Sequence, residues 1–440
     1  MVARPDLLDG LRASLAGEAS PRRYWLAYSG GLDSRVLLEL LLALRRQQPD
    51  FPDLHIIHIH HGLQAEADAW AQHCQQLCDA LQLPCEVRRV QLDSHGVGVE
   101  AAARQARYQV FEQLLCEGDV LLQAHHLDDQ CETLMLRLLR GAGPEGLAAM
   151  PRRRPLGRGQ LLRPLLGVSR AQLLACAREW GLRWQEDPSN ADVCFDRNYL
   201  RAEVMPRLER RWPAYRRSLE RAALLQARAA SLLDEYFEQD LQPLLCGGGL
   251  VIDDLLALPP SRQLALLHYY LRSRWQLNLE QAQLHSFAEQ FLSARRDAAP
   301  VFCVGPWRFY RYRGRLFGEA VELHTRSHSE PLSWDLSAPL PLPQGRLSAH
   351  RGGHFVPAGP LTVRFRCGGE RCQLAGESHS RSLKKLLQEW GVPPLRRQRL
   401  PLLYCGERLA AVADMAICEG FYTPASEMGW QLSWRDAAGR

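Results

Sequence analysis

The apolar run Tyr24-Trp25-Leu26-Ala27-Tyr28 ends in Ser29-Gly30-Gly31-Leu32-Asp33-Ser34, and a helix-like stretch at 35–44 follows at once. A strand, a glycine-paired turn and a helix in immediate succession fit a βα unit. The pattern recurs: strand-like runs at 25–28, 54–59, 85–92 and 120–124 alternate with helix-like runs at 35–44, 65–81 and 101–116. This alternation predicts a parallel sheet with crossover helices. Ligands of such sheets sit beyond the carboxyl ends of the strands. The polar clusters fall there: the 29–34 turn, then His60-His61-Gly62, then His125-His126.

The 29–34 turn has the makings of an anion seat. N–H groups at a helix start point outward and the helix dipole favours negative charge. Gly30 and Gly31 let the backbone approach phosphate oxygens. Ser29 and Ser34 add hydroxyl donors, Leu32 opens the helix, and Asp33 can hold Mg2+. The Gly-Lys-Ser/Thr of kinase-type phosphate loops is absent. The pattern resembles instead the pyrophosphate loop of ATP pyrophosphatases, which implies ATP as substrate.

The second informative stretch is His125-His126-Leu127-Asp128-Asp129-Gln130-Cys131-Glu132-Thr133. A helix here puts Asp129 and Glu132 at i and i+3 on one face, with Leu134, Met135 and Leu138 on the buried side. Two carboxylates and a histidine opposite a phosphate loop suit an ammonium ligand or Mg2+. Asp128 by itself reads as an acidic helix cap.

Composition narrows the class. A chain of 440 residues should form two or three domains. Its 46% hydrophobic and 23% charged residues are ordinary for a soluble globular protein, and no apolar run approaches a membrane span. Residues 1–17 carry Asp6, Asp9 and Arg12, so they read as a first helix rather than a signal peptide. Thirteen cysteines are scattered singly, the nearest spacings being Cys74/Cys78 and Cys367/Cys372. With no C-x-x-C pair, a zinc site is not supported, and a reduced cytoplasmic chain is expected. The net charge of +5 is small, but residues 341–440 hold 14 Lys/Arg against 8 Asp/Glu. The chain's two lysines, Lys384 and Lys385, are adjacent in that segment.

Further along, the pattern from 169 to 292 is mainly helical, broken at 186–190 and at Cys246-Gly247-Gly248-Gly249, which reads as a hinge. Residues 325–360 read as short strands and linker, and 361–434 as a small α+β domain.

Taken in series, the motifs resemble the tRNA(Ile)-lysidine synthetase family along almost the whole chain. They are the 29–34 turn, His60-His61-Gly62-Leu63, Glu100-Ala101-Ala102-Ala103-Arg104 with Arg107-Tyr108, the 125–133 stretch, Arg140-Gly141, and Arg163-Pro164-Leu165-Leu166. Then come Glu186-Asp187-Pro188-Ser189-Asn190, Arg197-Asn198 with Arg201, Ser382-Leu383-Lys384-Lys385-Leu386-Leu387 and Gly391-Val392-Pro393-Pro394. The resemblance implies an α/β N-terminal domain with a parallel, Rossmann-like sheet of pyrophosphate-loop type over 1–215. A helical domain over 216–330, a linker over 331–360 and a C-terminal α+β domain over 361–440 complete it.

It also implies the reaction. ATP adenylates the C2 oxygen of the wobble cytidine of a CAU-anticodon tRNA(Ile), releasing diphosphate. The ε-amine of L-lysine then attacks C2 and expels AMP. The expected ATP contacts are Ser29, Gly30, Gly31, Leu32, Asp33, Ser34 and His60, with Asp33 on Mg2+. Catalysis is expected of Asp33, His125 and Asp129, the amine's proton passing to His125 or a carboxylate. Lysine is expected at Asp129 and Glu132 through its ammonium groups and at Arg104, Arg107 or Arg197 through its carboxylate. Expected tRNA contacts are Arg140, Arg163, Arg381, Lys384, Lys385, Arg396 and Arg397, in a tail that also holds Arg399. Asp187, Asn190, Arg197 and Asn198 are expected to be part structural and part substrate-binding, and the 221–292 helices to grip tRNA. A homodimer is left open. A tRNA-thiolating relative is the rival reading, disfavoured by the missing cysteine pair.

Overall fold

A computed structural model describes residues 5–16, 21–60, 62, 67–90, 99–186, 192–295, 298, 300–321, 331–342, 344–424 and 429–436. The chain divides into two compact units, 1–233 and 234–440.

The first unit runs α1 (Pro5–Leu15), β1 (Arg23–Ala27), α2 (Leu32–Gln47), β2 (Asp53–His60), α3 (Ala67–Ala80), β3 (Cys85–Arg89), α4 (Val99–Leu114), β4 (Asp119–Leu122) and α5 (Leu127–Leu139). A short α6 (Pro144–Leu147), the hairpin β5 (Arg153–Leu156) and β6 (Gly159–Leu162), and α7 (Arg170–Glu179) follow. Then come α8 (Asp196–Tyr199), a π-helical turn at Leu200–Val204 and α9 (Met205–Arg211), and α10 (Tyr215–Leu241) begins in this unit. The four expected strands and three crossover helices are present. The 91–92 end of the expected third strand lies outside the described residues.

The sheet order is β3-β2-β1-β4-β6-β5, parallel except for the last pair. Its central strands are buried on both faces, as crossover helices require. Ile56, Leu26, Leu122 and Leu162 form one row across the sheet and pack against α1, α2 and α7. Trp25, Leu121 and Leu161 lie on the opposite face, against Phe111 and Leu115 at the end of α4. Strand order reverses at β1, so the carboxyl ends of β1 and β4 open a crevice, where ligands bind in doubly wound sheets.

In the second unit, helices Ile252–Leu256, Pro260–Trp275 and Gln281–Leu292 share a core with an antiparallel five-stranded sheet that spans 245–320. The glycine run expected to be a hinge is instead the turn of a hairpin. Cys246 pairs with Gly249, and Gly247 and Gly248 have φ of 56° and 74°, which a two-residue hairpin turn needs at both central positions. Beyond it, small antiparallel sheets and the helix Leu383–Glu389 build the C-terminal core. No helix among the described residues is long and apolar enough to cross a membrane.

Candidate active site

The loop after β1 is shaped by its own hydroxyls. Ser34 Oγ accepts from Ser29 N–H at 3.3 Å and donates to Gly31 O at 3.0 Å, while Gly31 N–H donates to Ser29 Oγ at 3.3 Å. Gly30 takes φ of +83°, a conformation that favours glycine. Gly31 is the N-cap of α2 and offers no side-chain cap, so the first N–H groups of α2 remain for an anion. The backbone N–H of Gln185 donates to Gly30 O at 3.0 Å and brings the 182–186 segment over the turn.

Opposite, His126 is the N-cap of α5. Its Nδ1 accepts from Asp129 N–H at 3.3 Å, and Asp129 Oδ2 accepts from His126 N–H at 3.0 Å. This reciprocal cap fixes Asp129 at the mouth of the helix. His126 Nε2 lies 3.6 Å from Asp33 Oδ2, which joins the two loops. Burial works against charge on this ring, but Asp33, Asp129 and Asp128 outweigh it and hold its pKa above the ordinary histidine value. Burial also disfavours charge on Asp129, yet His126, His125 and Arg197 hold its pKa low. Asp33 Oδ1 is buried and accepts no hydrogen bond among the described residues. That spare carboxylate oxygen beside a phosphate seat fits Mg2+, a hard cation that takes oxygen ligands.

One cavity of about 420 Å³ is lined by Ser29, Asp33 and Ser34 from the first loop, by His58 and His60 from β2, and by Arg107, Gln123, His125 and Asp129. The phosphate seat and Asp129 therefore share one space. His60 is buried and its Nε2 bonds Asp68 Oδ1 at 3.1 Å. Trp70 of α3, which the sequence did not single out, adds an aromatic wall.

His125 is buried beside arginines, and burial first, then Arg163 and Arg107, push its pKa well below the ordinary value. Arg163 Nε donates to its Nδ1 at 3.2 Å, so a neutral His125 carries its proton on Nε2. It presents a donor, which corrects the expectation of a proton acceptor.

Glu132 departs from expectation too. It is 1% exposed and does not line the cavity. Arg201 grips it through Nε and Nη2, and Arg197 Nε stands 3.2 Å from Oε2. Its oxygens are taken, so it anchors arginines rather than meeting an ammonium. Of the three candidate carboxylate clamps, Arg107 lines the cavity. Arg197 is committed to Glu132 and to Thr133 Oγ1, and Arg104 stacks on Tyr108 at 5.0 Å. Asp128 turns outward, accepting from Arg170 N–H and from Arg216 Nε. His126 and Arg201 stand in the motifs, but the sequence alone assigns neither of them a role. The signal for His126 was its place three residues before Asp129, the spacing of a reciprocal cap.

Three regions match known family descriptions: residues 10–208 the PP-loop domain, 250–317 the TilS substrate binding domain, and 361–434 the TilS substrate C-terminal domain. The tRNA(Ile)-lysidine synthase of Serratia proteamaculans is 43% identical over 97% of this chain and 98% of its own length. That of Coxiella burnetii is 42% identical over 94% and 93%, and that of Pseudomonas putida 45% identical over 93% and 95%. The chain belongs to the tRNA(Ile)-lysidine synthase family.

Several residues expected to face tRNA in a lysidine synthase have partners within the protein, Arg163 and Arg399 in its interior and Arg381 at its surface. Arg163 is 2% exposed and bonds His125, Pro151 O and Tyr108 OH, which removes it from the surface. Arg381 pairs with Glu389 at 2.6 Å. Arg397 donates to Val392 O and Tyr312 OH, and Arg396 lies over Phe317 at 5.4 Å. Arg399 is buried against Glu319. Lys384 and Lys385 are exposed on the Leu383–Glu389 helix, whose Leu383, Leu386 and Leu387 face the core. Arg140 is exposed and 3.6 Å from Asp196. Asn198 donates to Asp192 O at 2.8 Å. His61, Asp187 and Asn190 lie outside the described residues.

Proposed function

We propose that this chain is an ATP-dependent ligase that joins L-lysine to C2 of the wobble cytidine of CAU-anticodon tRNA(Ile), releasing AMP and diphosphate. The observation that carries this reading is the shared cavity: a backbone phosphate seat, Asp129 and Arg107 line one space of about 420 Å³.

In this reading the 29–34 turn and the start of α2 take the triphosphate of ATP. Asp33 would hold Mg2+, which supplies positive charge against the triphosphate. The C2 oxygen of cytidine attacks the α-phosphorus and diphosphate leaves. The ε-amine of lysine then attacks C2, the bond from C2 to the adenylate oxygen breaks, and AMP leaves. Asp129 receives lysine's α-ammonium and Arg107 its carboxylate. Neutral His125 directs its Nε2–H at the reacting base, and Trp70 offers a stacking face. The ε-amine has an ordinary pKa of about 10.4, so it must shed a proton to attack. Desolvation in the cavity favours that loss, and the carboxylates of Asp33 and Asp129 are the acceptors within the site.

The test is incubation with labelled lysine, ATP and the CAU-anticodon tRNA(Ile), with a methionine tRNA bearing the same anticodon as control. Lysine should enter the isoleucine tRNA alone, with stoichiometric AMP. Incorporation without ATP, or none into either tRNA, would remove the reading. Asp33→Asn should lower diphosphate release by about a hundredfold or more, while tRNA affinity holds.

A further inference from the structure

Cys74 and Cys78 lie one turn apart on α3, and Cys85 opens β3. The three Sγ atoms all lie within 4.8 Å of one another, with Cys74 and Cys85 3.9 Å apart. Cys74 and Cys78 are buried and Cys85 half-buried. A helix thus supplies two sulfurs at i and i+4 and a strand supplies the third, a triangle of soft donors.

His58 stands on the same face of the sheet. In the parallel pairing of β2 with β3, Ile56 is the partner of Cys85 and His58 that of Val87. His58 Nδ1 bonds Tyr28 O at 2.9 Å. That bond fixes the ring proton on Nδ1 and leaves Nε2 as a lone pair, the arrangement common for metal-ligating histidines.

We propose that Cys74, Cys78 and Cys85 bind Zn2+ as three thiolates, with the fourth position left to His58 or to solvent. Zn2+ favours tetrahedral sulfur and nitrogen donors at this number and spacing. On binding, the thiols of Cys74, Cys78 and Cys85 each give up a proton to solvent as three sulfur–zinc bonds form; nothing is oxidised or reduced. The ion fastens α3 to the edge of the sheet. Because α3 carries Trp70 and β2 carries His58, both of which line the cavity, the ion would stiffen one wall of the nucleotide site.

The test uses the full chain, purified reduced and without oxygen, with Co2+ as a spectroscopic probe and Zn2+ as competitor. The expected result is about one metal per chain, a thiolate-to-cobalt charge-transfer band, and displacement by Zn2+. Cys85→Ala should lose the band and weaken Zn2+ binding at least about tenfold. Cys194→Ala, at an exposed cysteine away from the cluster, should keep both. If Cys85→Ala does not fold, Cys78→Ala reads the same outcome. Absence of the charge-transfer band in the parent chain, or its survival in Cys74→Ala and Cys78→Ala alike, overturns the site.

Discussion

Arg201 holds Glu132 in a fork, Nε to Oε1 at 2.8 Å and Nη2 to Oε2 at 3.0 Å, and its Nη2 also stands 3.5 Å from Asp129 Oδ1. Glu132 is buried, while Arg201 is about a third exposed. One guanidinium, two positions beyond α8, therefore sets the orientation of the carboxylate that faces the cavity. Arg201 is a positioning residue. Arg201→Lys keeps the charge but cannot match both oxygens. We expect KM for lysine to rise about tenfold or more, with KM for ATP little changed. Arg201→Ala should also cost about 2–3 kcal/mol in urea unfolding, because Glu132 is left buried with one partner fewer. Equal effects on both KM values in the lysine variant would point to a general loosening of the site instead.

The two neighbouring histidines should titrate in opposite directions. His126 binds its proton more tightly folded than unfolded. Its contribution to stability is therefore full below the ordinary imidazole pKa of about 6.5 and is lost as pH rises through the raised value. That proton goes on Nδ1 and displaces the cap bond from Asp129 N–H. His125 does the reverse: its lowered pKa costs nothing above pH ~6.5, and the cost grows as pH falls. Nitrogen-15 spectra of the imidazoles should find His125 neutral, with its proton on Nε2, at a pH where His126 is already charged. The urea-midpoint difference between the parent and His126→Gln should shrink as pH rises past neutrality. Identical titration of both rings would sink this assignment.

Much of the nucleotide-binding half was legible because period and position coincide. The apolar 24–28 run must be a central strand if it is to bury Tyr24 and Leu26 on one face and Trp25 on the other. The 29–34 turn then falls at its carboxyl end. The β5–β6 hairpin was not legible: Arg153, Arg154, Pro155 and Gly157 carry no strand pattern, and only Leu156, Leu161 and Leu162 carry its burial. Helical spacing put Asp129 and Glu132 on one face, but it could not say that arginines from α8 and beyond would cover Glu132. The same limit hid the cysteine triangle, whose third member comes from a separate element. In the tail, charge density was visible, but the carboxylates and aromatic rings that absorb Arg381, Arg396, Arg397 and Arg399 were not.

Those absorbed arginines leave Lys384 and Lys385 as the exposed pair on their helix. Each phosphate neutralised contributes a slope of roughly −0.7 to −0.9 in log affinity against log salt. Lys384→Ala with Lys385→Ala should reduce the salt slope of tRNA binding by about 1–2 and leave ATP affinity as it was. Arg397→Ala, in contrast, should lower stability through its lost bonds to Val392 O and Tyr312 OH and leave the salt slope unchanged. A double lysine variant with the parent's affinity at every salt concentration would take this helix out of the RNA-binding surface.

The pair Glu319 and Arg399 tests how the second unit is held together. Glu319 ends a strand of the five-stranded sheet and Arg399 follows the C-terminal 394–397 turn, yet both are nearly fully buried and bonded to each other. Two charges taken from water cost several kcal/mol each, recovered only while both are present. Glu319→Ala should therefore destabilise the unit by about 3–5 kcal/mol, because it strands a buried guanidinium. Replacing both, as Glu319→Leu with Arg399→Met, should recover most of that loss, since an apolar pair of similar volume owes no desolvation. Urea unfolding of the parent, both single variants and the double variant closes the cycle. If the double variant is as unstable as the sum of the two singles, the two side chains are not coupled, and each is held by other neighbours.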